Sequence, residues 1–170
     1  KGKKSRNREQ LHTNFREKTG ENEKLLFRLG LENNEFAEKI LENLLEDDLE
    51  GELLRKYFHI FKEAVEDGID VKSADFFGRI NDSEVAELAA EIAFMDIPPD
   101  PGARLLEDTL LWIKRHALKK EMEMMKERIE SLKNDPGAGD SRESIEIAEA
   151  YRRIASELKN LGLQGGKSLR

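Results

Sequence analysis

The chain has 170 residues, 38% hydrophobic and 38% charged, with a formal net charge of −7. That balance suits long exposed helices around a lean core rather than a compact enzyme. With no cysteine, a disulfide framework, a thiol nucleophile and a thiolate metal site are excluded; no apolar run approaches the ~18 residues of a membrane span, no signal peptide is visible, and a soluble, cytoplasmic protein is expected.

Residues 1–20 carry Lys1, Lys3, Lys4, Arg6, Arg8, Arg16 and Lys18 against Glu9 and Glu17, a net +5 that leaves −12 for the rest. An acidic body repels a nucleic-acid backbone, which needs Lys and Arg to displace counterions. Direct nucleic-acid contact is therefore expected only through this segment. Its Leu11 and Phe15 stand alone, and 1–20 reads as a basic flexible linker. The chain begins at Lys1 without a methionine, as a fragment of a longer protein or a processed chain would.

From Glu21 the pattern becomes helical. Leu25, Leu26, Leu29 and Leu31 form one apolar face. Asn33-Asn34 breaks it and caps a second helix, with Phe36, Ile40, Leu41, Leu44 and Leu45 along one side. Glu46-Asp47-Asp48 makes an acidic corner. A third helix runs from about Gly51 to Asp67 on Leu54, Tyr57, Phe58, Phe61 and Val65, and Gly68 stops it. Asp70 is the expected cap of a short helix holding Phe76, Phe77 and Ile80. Asn81 with Glu84 resembles a capping box for a fifth helix, in which Val85, Leu88, Ala89, Ile92 and Met95 face inward. No stretch alternates with period 2 over strand length, so no sheet is expected.

Asp100-Pro101 is a start signal, with aspartate capping and proline at the first helical position. The helix that follows meets no breaker between Gly102 and Pro136. Within it Leu118, Met122, Met125, Ile129 and Leu132 step by four and three, and after the break at 134–141 Ile147, Tyr151, Ile154, Leu158 and Leu161 step the same way. This is the seam of two packed helices. The two runs match in length, so an antiparallel hairpin sets Leu118 opposite Leu161, Met125 opposite Ile154 and Leu132 opposite Ile147. The fold expected is all-α: a small bundle over 21–113, a hairpin over 114–161 and a flexible tail over 162–170. The seam occupies one side of the last helix. Arg152, Arg153, Ser156, Glu157, Lys159 and Asn160 are left on the other side and end as candidates for contact with a partner.

No catalytic constellation is present. His12, His59 and His116 have no second histidine at i+3 or i+4, and His59 reads as a packed or half-exposed residue among aromatics. No Gly-rich phosphate loop of either common spacing occurs. Neither catalysis nor a cofactor is expected of this chain.

Leu25-Leu26-Phe27-Arg28-Leu29, then Leu53-Leu54-Arg55-Lys56-Tyr57-Phe58 with Gly68 closing the helix, then Leu106-Glu107-Asp108-Thr109-Leu110 leading into a charged helix and a hairpin, resemble the C-terminal helicase-binding domain of bacterial DNA primase over roughly 21–161. The resemblance implies a helical bundle that modulates helicase activity and a hairpin that docks on the N-terminal domains of the hexameric replicative helicase. The parent protein would be a DNA-directed RNA polymerase with its zinc-binding and polymerase domains upstream, and the isolated domain a monomer. Two alternatives share the pattern: the N-terminal domain of the helicase itself, and a hairpin module that dimerises into a four-helix bundle.

Overall fold

A computed structural model describes residues 20–99, 101–134 and 141–167, and every regular element among them is helical. In order these are α1 (20–30), α2 (Asn34–Asn43), a 3-10 turn (Glu46–Asp48), α3 (Glu52–Glu66), α4 (Ala74–Gly78), α5 (Ser83–Ala93), α6 (Ala103–Asn134) and α7 (Ser141–Lys167). The chain falls into two compact units, Lys1–Ile113 and Lys114–Arg170. The first 11 residues of α6 belong to one and the remainder to the other.

The first unit is built around α3, which packs on α2, on α5 and on the 3-10 turn. Its Tyr57 and Phe61 are fully buried with Phe27 of α1 and Phe76 of α4. Phe27 meets Tyr57 edge-on with ring centroids 5.0 Å apart, and Phe61 meets Phe76 edge-on at 6.2 Å. Edge-to-face rings place positive ring edges on negative faces, which contributes ~0.5–1.5 kcal/mol per pair beyond area burial. Leu106, Leu110 and Ile113 at the start of α6 join the same core.

Local chemistry sets most element ends. Asn33 Oδ1 accepts from the Phe36 amide at 2.8 Å, satisfying an amide that has no partner within the helix. At the end of α3 the amide of Gly68 donates to Val65 O at 3.0 Å and that of Ile69 to Ala64 O at 2.8 Å. This paired closure needs a residue in the left-handed region, and Gly68 supplies it with φ of 73°.

Several expected boundaries differ. Leu45 is 71% exposed, while Leu44 is buried. Helix α2 ends at Asn43 and both leucines are extended, and successive extended side chains point to opposite sides. Leu49 and Val71, not anticipated as core, are buried instead. Asp70 does not cap α4: its Oδ1 accepts from the Lys72 amide in a local turn at 3.0 Å, and Ser73 Oγ accepts from the Phe76 amide. Ile80 lies beyond the end of that helix. Asn81 is not the cap of α5, since its Nδ2 donates back to Arg79 O. Asp82 takes the role, with Oδ1 accepting from the Glu84 and Val85 amides at 2.9 and 3.3 Å. Those two bonds, the Val85 one foremost, hold the Asp82 carboxyl below its ordinary pKa.

Helix α6 starts at Ala103, two residues after the proline expected to open it, and Gly102 O accepts from the Leu105 amide. Asp100 and the basic segment 1–19 lie outside the described residues. Gly20 is already helical, and α7 extends to Lys167 rather than fraying after Leu161.

Candidate functional site

The second unit is the C-terminal part of α6 with α7. Two polar ties fix their sense. Arg128 Nε donates to Glu143 Oε1 at 2.9 Å, and Arg115 Nη2 donates to the carbonyl oxygen of Leu161. The earlier position on α6 meets the later one on α7, so the pair is antiparallel. Thirteen residues of α6 separate the ties against eighteen of α7. At about 1.5 Å per residue the difference is roughly 7.5 Å.

Ile154 is 6% exposed and is the buried residue of this unit among those described. Ile147, Tyr151, Leu158 and Leu161 on α7 are half-buried, as are Leu118, Met122, Met125, Ile129 and Leu132 on α6. The ten seam positions are thus covered in part, and the residues between them are mostly exposed. A two-helix unit leaves each seam side chain a flank in water, which is why half-burial prevails.

Arg152, Arg153, Ser156, Glu157, Lys159 and Asn160 are all exposed. Successive helical residues rotate by about 100°, so Arg152, Ser156 and Lys159 point away from the side that Ile154 occupies. Glu149, one turn before Arg153, is exposed beside them. Among the described residues none of these charged groups has an ion-pair partner within the chain; the nearest such pair is Arg128 with Glu143. A face of unpaired charges of both signs can recognise a partner by charge order without burying bare charge at its own core.

The structure adds a residue that the seam pattern left out. Ile145 is 59% exposed. It lies nine positions before Ile154, two and a half turns, and so on the opposite side of α7, in line with Arg152 and Ser156. The face therefore carries an apolar side chain at its N-terminal end. An isoleucine off the four-three seam was the available signal. On α6, Met124 is likewise 56% exposed next to the seam residue Met125.

The remaining candidates are accounted for by ordinary surface chemistry. His59 is exposed rather than packed among aromatics, and its Nε2 lies 3.3 Å from Glu63 Oε1. The acidic corner is the 3-10 turn, with Glu46 and Asp47 exposed and Asp48 half-buried, its Oδ2 accepting from the Leu45 amide at 2.9 Å. Among the described residues no cluster of three His, Asp or Glu side chains is arranged to hold a metal ion. No helix among them is long and apolar enough to cross a membrane.

Comparison with protein-family models, with characterised proteins and with solved structures finds no match to this chain.

Proposed function

We propose that this chain is a non-catalytic docking domain of a bacterial DNA primase, acting in the cytoplasm by binding the N-terminal domains of the hexameric replicative helicase. The observation that carries the reading is the outward face of α7, whose charged side chains are exposed and unpaired within the chain, opposite a seam that occupies its apolar side. The order of the leucine-rich segments, noted above, supplies the choice of partner. Arg152, Arg153, Ser156, Glu157, Lys159 and Asn160 form the contact, with Ile145 as its apolar anchor. Interfaces gain affinity from a few desolvated anchors and specificity from the charges around them.

The test is Ser156→Arg combined with Lys159→Glu. Both residues are exposed, so the fold loses little. Affinity for the helicase N-terminal domain is expected to fall at least tenfold, about 1.4 kcal/mol, with an unchanged far-ultraviolet helix signal. Calorimetric titration at two salt concentrations reads both the loss and its electrostatic part. Unchanged affinity removes α7 as the interface.

Exposed Ile145 and Met124 favour a second reading, in which two copies pair their hairpins into a four-helix bundle. Sedimentation at micromolar concentration separates the two: a monomer supports docking to another protein, and a dimer that Ile145→Lys dissociates supports self-pairing.

A further inference from the structure

In the first unit, α1 and α5 run side by side in the same direction. Lys24 Nζ donates to Glu91 Oε2 at 2.7 Å and Arg28 Nε to Met95 O at 3.1 Å, an offset of 67 positions each time. A cleft of about 520 Å³ is lined by Lys24 of α1, by residues of α5 and by the entry to α3. Buried Leu54 and Leu88 with half-buried Leu53 make its floor. Glu84 and Glu87 stand exposed at its edge, and neither has an ion-pair partner among the described residues. The third glutamate of α5 there, Glu91, is engaged by Lys24. The far wall is fixed from beneath: fully buried Glu23 accepts the Glu50 amide on its Oε1 at 2.5 Å. The cleft is thus an open slot of mixed lining, with leucines at its floor and free negative charge along one rim.

The same offset says what lies next to it. Carried back one turn from Lys24, it sets residue 20 beside Glu87. The chain that precedes α1 therefore joins the bundle at the edge of this cleft. That stretch, residues 1–19, holds seven basic side chains against two acidic ones, with Leu11 and Phe15 as isolated apolar residues. Its chemistry complements the cleft in both respects. Phe15 lies five residues before Gly20, a reach of up to about 17 Å. A short tether also holds the segment at an effective concentration on the order of millimolar.

We propose that the occupant of the cleft is the chain's own basic segment, residues 1–19, with Arg16 and Lys18 against Glu84 and Glu87 and Phe15 over the leucine floor. The segment is then an internal ligand of the bundle, and a partner that engages the cleft must displace it. The inference stands apart from docking through α7 and does not depend on it.

The absence of cysteine makes an introduced thiol unique. Thr13→Cys in the full chain, carrying a nitroxide label, is expected to broaden the amide signals of residues 84–91 at low salt. The broadening should vanish near 1 M salt, where the Debye length falls to about 3 Å. It should also vanish in Glu84→Lys with Glu87→Lys, and return when Arg16→Glu and Lys18→Glu are added to that pair. The swapped chain also shows that the reversed glutamates leave the fold intact. Absence of broadening at low salt overturns the proposal, as does broadening that survives the glutamate reversal. Broadening that fades on dilution overturns it too, since the segment would then come from a second copy.

Discussion

Tyr57 and Gly30 show how much the core of the first unit depends on single atoms. Tyr57 is buried against Phe27, Phe61 and Phe76, and its hydroxyl has no hydrogen-bond partner among the described residues. A buried hydroxyl without a partner costs roughly 1–3 kcal/mol of desolvation. Tyr57→Phe is therefore expected to gain about 1 kcal/mol in urea unfolding. Burial also pushes the Tyr57 phenol above its ordinary pKa. A raised pKa in the folded state means the folded chain holds the proton more tightly. Its contribution is present below the unfolded value, about 10, and is lost as pH rises beyond it. Stability should fall above that pH in the wild type and fall less in Tyr57→Phe, read from urea midpoints at neutral and alkaline pH. Gly30 works by absence of a side chain. A Cβ there would lie 2.8 Å from Ile40 Cδ1 and 2.9 Å from Phe61 Cζ, both inside the core. Gly30→Ala is expected to cost about 1–3 kcal/mol through forced displacement of those side chains, measured by the same titration.

Helix α6 divides its work along its length. Up to Ile113, α6 contributes Leu106, Leu110 and Ile113 to a core that many elements share. Beyond it the helix is half-buried over 114–117 and at the seam positions, and mostly charged elsewhere. Ile154 is the one deeply covered residue described in the second unit. A carboxylate placed there without a partner costs several kcal/mol (~3 or more), against a two-helix unit with little else to hold it. Ile154→Asp is expected to unfold residues 114–161 and leave 21–113 helical. Hydrogen exchange decides the matter: equal loss of protection in the α3 amides would make the two units one cooperative body.

The chain as a whole combines an acidic body with a basic N-terminal segment. If α7 makes the contact with the helicase, that segment has no part in it. Removing residues 1–19 is then expected to leave helicase affinity within tenfold of the full chain, about 1.4 kcal/mol, by calorimetry. A greater loss would place the basic segment within the interface. On the proposal that residues 1–19 fill the cleft beside α5, the same truncation empties it, so the two proposals make separate demands on one variant.

Which stretches are helical could be read from the residues alone, because apolar spacing of three and four is a local property of the chain. The seam on α7 and the side turned from it follow from the same 100° rotation; all six candidate side chains are exposed, with Arg152, Ser156 and Lys159 opposite Ile154 and Glu157 only about 60° from it. Where two neighbours compete, spacing is silent. Asn81 and Asp82 are both good caps, and only the position of the first helical residue, set by packing of Val85 and Leu88, selects Asp82. Leu44 and Leu45 are equally apolar, and only the extended backbone after α2 turns one inward and the other out. The cleft was not legible at all. It needs α1, α5 and the entry to α3 side by side, although Lys24 and Glu91, which meet at its edge, stand 67 positions apart in the chain. Local rules fix the helices, but the pairing of distant surfaces is a property of the packed core.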